Sequence, residues 1–536
     1  MKWSVFGFME GAARVRAGQC MALREENDPY RLENLIRAAE ASNIVPLVRV
    51  KENKEHYTSE CEVRVNQMGS EECKLSPRII EILEKVVGEE KVTVELIDLI
   101  AHSADASIFR HRPEVVVYAT TTEEVSGILK MAHEERIPVT VWGGGTSLTG
   151  APVPIQGGIV LDLSHMNRIL EIRPQDRIVV VQPGVTYADL NRCLAPSGFS
   201  FPPDPSSGDV ATVGGNVATN AGGMRAGKYG VTKDYVRGLV VVLPGGKVMR
   251  TGTRTMKSSS GFNLTQIFVG SEGTLGVIAE ITLKIAPVPK ERCAVMATFK
   301  SIVEAGRAVS RIMSSSLVPS ALEIVDQHCI DAINRNVDLG LPRVGAIVLA
   351  ETDGFTKEET LFQMDKIAEV CRENGSLEVR WAKSADEAEP LWAARKTSYP
   401  VLARLNNTTF GEDITVPISK LPDILSALQE LSAKYDLIIP TVGHVGDGNL
   451  HPHFSYDRTD PDQVARVRKA EQELYEKAIG MGGTLSGEHG IGLAKAPFMS
   501  LEHDAVEMET MRLLKRMFDP RNILNPGKLS LEASHG

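Results

Sequence analysis

Cysteine is scarce in this chain of 536 residues, and none of the seven cysteines forms a Cys-x-x-Cys pair. Scattered cysteines of odd number predict neither a disulfide framework nor a zinc or iron–sulfur knuckle. No apolar run approaches membrane-spanning length, and residues 1–8 are too few for the apolar part of a secretory leader. The sequence therefore predicts a cytoplasmic protein without a transmembrane segment. Peripheral attachment at the inner face of the membrane is the alternative.

The chain also lacks an excess of basic residues, since its formal net charge at pH 7 is −10. Nucleic-acid binding needs a basic face that neutralises phosphates, so this charge argues against a nucleic-acid partner. Hydrophobic residues make up 43% of the chain and charged residues 24%, which is the balance of a folded globular protein.

The pattern of apolar residues divides the chain, which is too long for one ordinary core. Residues 1–75 are irregular and charged, with one predicted helix over residues 30–42, and we interpret them as an extension that docks to a partner or to another part of the protein. Strands and helices alternate over residues 76–288. Residues 115–119 are a β-branched apolar run, residues 121–124 (TTEE) form a capping-box pattern, and residues 244–247 (PGGK) predict a hairpin turn. Residues 289–485 form the next region, and within it residues 294–381 carry the order strand, helix, strand, strand, helix, strand, which is typical of a ferredoxin-like domain. Helices over residues 420–435 and 463–479 follow, with short strands. Residues 486–536 are predicted to form a helical C-terminal segment.

Two glycine-rich segments lie within the alternating region. Residues 143–150 (GGGTSLTG) follow a predicted strand, and residues 212–223 (TVGGNVATNAGG) come soon after the sequence PPDPSS. Glycines let backbone N–H groups approach a pyrophosphate, and the Ser and Thr hydroxyls add donors. Neither segment is a Walker loop, and Leu148 stands where a GxGxxG fingerprint needs its last glycine. Each segment alone could be turn chemistry, but the pair favours a diphosphate cofactor other than NAD.

Histidines are concentrated near the C-terminus. His444, His451 and His453 lie within ten residues of a chain that holds twelve histidines, and Glu488-His489 follows. Imidazole nitrogens with one carboxylate suit zinc or another first-row divalent ion and leave a position open for substrate. The alternative is that these histidines only satisfy backbone groups around glycine turns. Their clustering favours the metal site.

Several strings together resemble a known family. GGGTSLTG, PPDPSS, TVGGNVATNAGG, KYGVTKDYV and GSEGTLGVI resemble the FAD-binding domain of the vanillyl-alcohol-oxidase and p-cresol-methylhydroxylase type. The resemblance covers residues 75–530 and points to the branch of D-lactate dehydrogenases, the glycolate oxidase flavin subunit and D-2-hydroxyglutarate dehydrogenases. It implies an α+β fold in which a two-subdomain FAD-binding domain precedes a ferredoxin-like substrate domain with a helical C-terminal cap.

The resemblance also implies which residues hold FAD. No histidine stands in the loop where some relatives attach the flavin covalently, so it implies non-covalent FAD. Lys528 is placed close to the flavin beside Asn525. The residues that it places at the pyrophosphate, ribose, adenine and flavin are Gly143, Gly144, Gly145, Thr146, Ser147, Pro203, Asp204, Ser206, Thr212, Gly214, Gly215, Asn216, Ala218, Asn220, Glu272, Gly273, Ile278 and Asn525.

The reaction that the resemblance implies is oxidation of a D-2-hydroxy acid to a 2-oxo acid. A metal that chelates the hydroxyl and carboxylate oxygens lowers the pKa of the alcohol, and a neutral histidine accepts its proton. Arginine offers a bidentate fork for the substrate carboxylate. The implied roles are metal ligand for His444, His451 and Glu488, catalytic base for His489, carboxylate binding for Arg395, and pocket lining for His453. Zinc is the expected ion, with manganese or iron as alternatives.

Two departures from the hydroxyglutarate enzymes bear on the substrate. Tyr399 stands where they carry a threonine, and Glu412-Asp413 replaces their lysine-containing segment. Both changes favour D-lactate over a dicarboxylate. Glycolate, D-2-hydroxyglutarate, a flavin-dependent alkyl-glycerone-phosphate synthase and an inactive electron-transfer subunit are the alternatives. The expected partner is an electron-acceptor protein or a quinone, and an oligomer or a heteromeric complex is expected.

Overall fold

The computed structural model describes residues 75–337, 339–382 and 385–532. The helix predicted over residues 30–42 and the proposed docking extension therefore lie outside the described residues. In the part that is described, no helix is both long enough and apolar enough to cross a membrane.

The first sheet has four strands in the order β1-β2-β4-β3. Its elements in chain order are α1 (Pro77–Val87), β1 (Val92–Thr93), α2 (Leu96–Ala101), β2 (Val115–Tyr118), α3 (Thr122–Glu135), β3 (Val139–Trp142) and β4 (Ile159–Asp162). Strands β2, β4 and β3 run parallel, and the residues 115–117 are completely buried, as a β-branched run covered on both faces should be. The hydroxyl of Thr121 caps α3 by accepting from the Glu124 backbone N–H, as the sequence predicted. This βαβ unit delivers the first glycine-rich segment at the end of β3.

The second sheet is antiparallel, with the order β5-β6-β10-β8-β9. The elements of this part are β5 (Ile169–Arg173), β6 (Ile178–Val181), α4 (Tyr187–Leu194), β7 (Phe199–Ser200), α5 (Val213–Thr219), α6 (Ala226–Tyr229), β8 (Val236–Val242), β9 (Val248–Gly252), α7 (Leu264–Phe268), β10 (Val277–Lys284) and β11 (Ala286–Pro287). The predicted hairpin turn at residues 244–247 joins β8 to β9. The second glycine-rich segment forms α5 and the residues on either side of it. The first segment follows a strand of the first sheet, and the second precedes the strands β8 to β10 of the second sheet.

The third sheet has eight strands in the order β15-β12-β14-β13-β18-β19-β16, with β17 paired to β19. Its elements are β12 (Glu291–Phe299), α8 (Ile302–Met313), β13 (Ala321–Asp326), α9 (Gln327–Asn336), β14 (Ala346–Gly354), α10 (Lys357–Glu373), β15 (Glu378–Ala382), α11 (Ala385–Leu402), β16 (Thr408–Gly411), β17 (Ile414–Thr415), α12 (Leu421–Tyr435), β18 (Thr441–His444), β19 (Asn449–Tyr456) and α13 (Pro461–Gly480). Strands β12 to β15 lie in the order fourth, first, third, second, so the ferredoxin-like prediction is confirmed. Strands β18 and β19 extend this sheet next to β13.

The C-terminal segment is helical and then returns to the first sheet. It contains α14 (Met499–Glu502) and α15 (Ala505–Phe518). Beyond α15, the Ile523 carbonyl accepts from the Val139 N–H at 2.7 Å, and the Asn525 N–H donates to the Val139 carbonyl at 2.8 Å. The tail therefore pairs with the free edge of β3. The domain boundaries at residues 288 and 485 stay predictions.

Candidate active site and cofactor cradle

The three predicted metal ligands converge on one point. His444 ends β18, His451 lies on β19, and the two strands are antiparallel neighbours. Oε1 of Glu488 lies 3.2 Å from Nε2 of His444 and 3.3 Å from Nε2 of His451. The imidazole rings are nearly perpendicular, with centroids 5.0 Å apart. A short turn between two strands thus brings both imidazoles to the same carboxylate.

These donors fit a divalent cation. Two imidazole nitrogens and a carboxylate oxygen are the set that first-row metals take in sites that keep an open position. Asp413 and His489 lie at the same place, and together with His451 and Glu488 they offer ligand atoms within 4.8 Å of one another. The residues present therefore match the chemistry of a metal site.

The ionisable groups at this point favour each other's charged forms. Burial lowers the pKa of His444, but the Glu323 and Glu488 carboxylates outweigh burial and raise that pKa well above its ordinary value. Burial likewise raises the pKa of Glu488, but His444 and His451 outweigh it and hold that pKa well below its ordinary value. Glu488 is therefore ionised, as a metal ligand must be.

Asp413 holds the segment that carries Glu488 and His489. This carboxylate is fully buried and accepts hydrogen bonds from the backbone N–H groups of Glu488 at 2.9 Å and of His489 at 2.8 Å. Its other oxygen accepts from the amide of Asn449, on β19, at 2.7 Å. The sequence offered Asp413 only as a departure in substrate specificity. Its partners lie on separate segments, so no local motif could have revealed this role.

His489 has the protonation state of a base. Burial lowers its pKa, and the neighbouring Asp413 carboxylate opposes that effect only in part. Its ring stacks on His451 with centroids 5.0 Å apart and planes 11° apart. The geometry leaves His489 neutral and fixed beside the predicted ligands.

Arg395 reaches the same centre through Glu323. Nε of Arg395 donates to Oε2 of Glu323 at 2.6 Å, and Oε1 of Glu323 lies 2.6 Å from Nδ1 of His444. Glu323 has no exposed surface, and Arg395 is 8% exposed. The structure therefore brings the predicted carboxylate-binding arginine to the predicted metal site. Glu323 itself was missed, because a lone acid in an apolar strand gives no signal of function.

His453 is a buried histidine held neutral. Burial, and then the neighbouring His451 and Arg395, lower the pKa of His453 to about 3. Its Nδ1 is buried without a hydrogen-bond partner among the described residues. The ring of Tyr399 lies 5.9 Å from the ring of His453, and Tyr399 is 44% exposed. The buried His453 therefore lies beside an exposed aromatic side chain, and its role in lining the pocket stays a prediction.

Substituting His453 with glutamine should make folding less sensitive to acid. Because the folded pKa of about 3 lies below the ordinary 6.5, the unfolded chain binds more protons between these values, and stability falls as the pH falls from 6.5 towards 3. We expect the loss in free energy of unfolding between pH 7 and pH 5 to be smaller in His453→Gln by about 2 kcal/mol. Urea titrations at both pH values measure it. Equal losses in the two proteins would contradict the buried neutral state.

The two glycine-rich segments pack against each other closely. A Cβ on Gly143 would lie 2.6 Å from Oγ1 of Thr212, and one on Gly144 would lie 2.5 Å from the carbonyl oxygen of Val210. Nδ2 of Asn216 is buried and makes no hydrogen bond within the described part of the chain. Asn216 thus has a buried donor without an acceptor, next to two glycines whose positions leave no room for a side chain. This arrangement fits a cofactor with phosphate or carbonyl oxygens. These residues therefore fit FAD.

The other predicted cofactor residues lie in the two glycine-rich segments or elsewhere in the same part of the chain. Pro203, Asp204 and Ser206 follow β7, Gly273 precedes β10, and Ile278 lies on β10. The remaining predicted residues of the loops lie in the same two segments: Gly145, Thr146, Ser147, Gly214, Gly215, Ala218 and Asn220.

Glu272 and Asn525 make contacts that the sequence did not predict. The Glu272 carboxylate accepts from the backbone N–H groups of Ile491 at 2.6 Å and of Gly492 at 2.8 Å. Burial raises the pKa of Glu272 to about 7. The amide of Asn525 donates to the carbonyls of Glu272 and Ala151 at 2.7 and 2.9 Å. Both side chains therefore join the cofactor domain to the C-terminal segment that follows His489.

Comparison with known proteins adds the family context. The chain matches the family "FAD binding domain" over residues 113–252 and the family "FAD linked oxidases, C-terminal domain" over residues 288–529. It is 41% identical to glycolate oxidase subunit GlcD of Bacillus subtilis over 452 residues, which is 84% of this chain and 96% of that protein. It is 36% identical to D-lactate dehydrogenase of Anaerostipes hadrus over 466 residues, or 85% and 98% of the two chains.

A solved structure shows the same fold. The structure of p-cresol methylhydroxylase with substrate bound matches with a TM-score of 0.70 at 19% identity, and the match covers 85% of this chain and 98% of that one.

Proposed function

The chain belongs to the FAD-linked oxidases, and on that basis we propose that it oxidises a D-2-hydroxy acid, with D-lactate converted to pyruvate. The observation that carries the proposal is the convergence of His444, His451 and Glu488 beside the neutral His489. Support also comes from the similarity to a glycolate oxidase subunit and a D-lactate dehydrogenase over more than four fifths of the chain.

Two bound groups complete the proposed site. FAD, held without a covalent bond by the two glycine-rich segments, supplies the acceptor for the two electrons that leave the substrate as hydride. A divalent ion, for which we propose zinc, would be held by His444, His451 and Glu488 and would supply Lewis-acid polarisation of the hydroxyl oxygen.

The residues of the chain perform the remaining work. His489 takes the hydroxyl proton, because burial holds its imidazole neutral. Asp413 fixes the backbone of His489, so the base keeps one position relative to Glu488. Nε of Arg395 donates to Glu323, and Nη1 lies 3.5 Å from the Ser398 hydroxyl. The remaining N–H groups of the guanidinium are proposed to bind the substrate carboxylate. The ring of Tyr399 lies beside His453 and is larger than the threonine of the hydroxyglutarate enzymes, which favours a small monocarboxylate.

A panel of hydroxy acids tests the substrate. Purified protein with FAD and zinc is mixed anaerobically with D-lactate, L-lactate, glycolate and D-2-hydroxyglutarate while flavin absorbance is followed. We expect D-lactate to bleach the flavin at least tenfold faster than the other acids. Faster bleaching by glycolate or D-2-hydroxyglutarate would reassign the substrate within the class. No bleaching by any acid would contradict the proposal as a whole.

The reduced flavin must pass its electrons onward. The relative from Bacillus subtilis is described as a subunit, and by analogy we propose that this chain works with a partner protein that accepts electrons, or with a quinone. We propose that residues 1–75 provide the docking segment.

A further inference from the structure

Glu323 lies between His444 and Arg395, two residues that the proposed function uses. It is itself neither a proposed metal ligand nor the proposed base. We propose that Glu323 is a positioning residue that orients His444 for the cation and Arg395 for the substrate carboxylate at the same time. This inference rests on the proposed function, because it assigns a task to a residue of that site.

The position of Glu323 follows from strand pairing. Glu323 on β13 lies directly opposite His444 on β18 in the antiparallel register. Their side chains therefore leave the sheet on the same face, next to each other. Arg395 comes from helix α11, 72 residues further along the chain, and lies against this pair. One carboxylate thus connects a strand, its neighbour and a helix.

The carboxylate is fully committed to these two neighbours. Each of its oxygens lies 2.6 Å from a nitrogen, Nδ1 of His444 on one side and Nε of Arg395 on the other. No part of Glu323 is exposed, so water does not compete for either bond. Such charge-assisted bonds in a buried place are short and strongly directional.

The bond to His444 selects its tautomer. When Nδ1 carries the hydrogen and donates it to Glu323, Nε2 presents a lone pair towards Glu488, where the cation is proposed to bind. A carboxylate behind a ligating imidazole typically changes metal affinity by about 10- to 100-fold. The bond to Arg395 fixes the guanidinium plane in the same way.

Glutamine at position 323 has nearly the same shape as glutamate but can accept only one of the two hydrogen bonds. Its amide oxygen can accept from one neighbour, but its NH2 group then faces the donor of the other. His444 can accept from that NH2 only by moving its hydrogen to Nε2, which blocks the cation. Glu323→Gln should therefore affect both the cation and the substrate carboxylate.

Glu351 provides a matched control. It is a buried glutamate on the adjacent strand β14, 7% exposed, and it pairs with Nη1 of Arg225 at 2.6 Å and with the Ser320 hydroxyl at 2.9 Å. Glu351→Gln removes a buried, ion-paired carboxylate from the same sheet but leaves His444 and Arg395 untouched. Any effect of lost stability alone should appear equally in both variants.

The test is a zinc titration of metal-free protein against a chromogenic chelator, with no turnover involved. We expect Glu323→Gln to bind zinc about 10- to 100-fold more weakly than the unaltered chain. Glu351→Gln should bind it within about threefold of the unaltered chain, since surrounding contacts at His444 are kept. Glu323→Asp, which keeps the charge but is too short to reach both neighbours, should also weaken binding and guards against misfolding of the glutamine variant. At saturating zinc, the KM for D-lactate should rise in Glu323→Gln by a larger factor than kcat falls.

The outcomes separate the inference from the proposed function. Unchanged zinc affinity in both Glu323 variants would overturn the inference alone. Equal weakening in Glu323→Gln and Glu351→Gln would also overturn it, because the cause would then be general destabilisation. Failure of the unaltered chain to bind zinc would overturn the inference together with the zinc site of the proposed function.

Discussion

Replacing His489 with asparagine is expected to slow flavin reduction by D-lactate by about 10²- to 10⁴-fold while FAD stays bound. Asparagine occupies a similar volume but has no basic nitrogen, so the hydroxyl proton loses its acceptor. The backbone N–H at this position would still donate to Asp413, and the segment should keep its place. Anaerobic stopped-flow absorbance measures the rate, and the flavin spectrum before mixing measures the bound FAD.

The control for this substitution is His165→Asn. His165 is an exposed histidine whose ring stacks on Tyr118, with centroids 4.9 Å apart, and it has no part in the proposed site. Its replacement should leave the rate of flavin reduction within about twofold, as for an ordinary surface substitution. Reduction of the flavin by His489→Asn at the unaltered rate would remove His489 as the base and would direct attention to another proton acceptor.

Removing the divalent cation is expected to lower the same rate by about 10²-fold or more, because polarisation of the hydroxyl contributes several kcal/mol. The residues proposed to hold FAD do not include the metal ligands, so the flavin should remain bound. Dialysis against a strong chelator, followed by addition of zinc, manganese or iron(II), tests both points. Recovery with one ion and not the others would identify the metal.

A ligand variant shows whether the recovery takes place at the proposed site. His451→Gln lacks one of the two imidazoles that face Glu488, so added metal should restore much less activity than in the unaltered chain. Full turnover by metal-free protein would instead make the four residues His444, His451, Glu488 and His489 a polar pocket without a cation.

The sequence predicted those parts of the fold that neighbouring residues determine. The β-branched run at residues 115–117 and the Thr121 cap follow from neighbouring residues, and the structure has both. The order of strands and helices in residues 289–485 predicted the ferredoxin-like arrangement, since connections of that length leave few other topologies. The sequence alone could not show that β18, β19 and β16 extend this sheet, because non-local pairing carries no short-range signal.

The residues of the candidate site likewise fall into those that a local pattern revealed and those that it did not. His444 and His451 were visible because both lie on one short hairpin. Glu323 and Asp413 also contact this group, but they come from segments 121 residues before His444 and 76 residues before His489. Each of them is a single acid with no repeated spacing, and buried carboxylates reveal themselves only through the partners that folding supplies.

The pairing of the tail with β3 has a consequence for how the protein is made. Strand β3 is the edge of the first sheet, and its partner, around Leu524, comes after the whole third sheet in the chain. Until the residues near Leu524 have been synthesised, the nascent chain carries an unpaired strand edge next to the first glycine-rich segment, and such edges associate with other chains. Completion of the first sheet therefore waits until the third sheet has been synthesised. A protein truncated after α15 should be insoluble, although every residue of the proposed catalytic centre precedes the truncation.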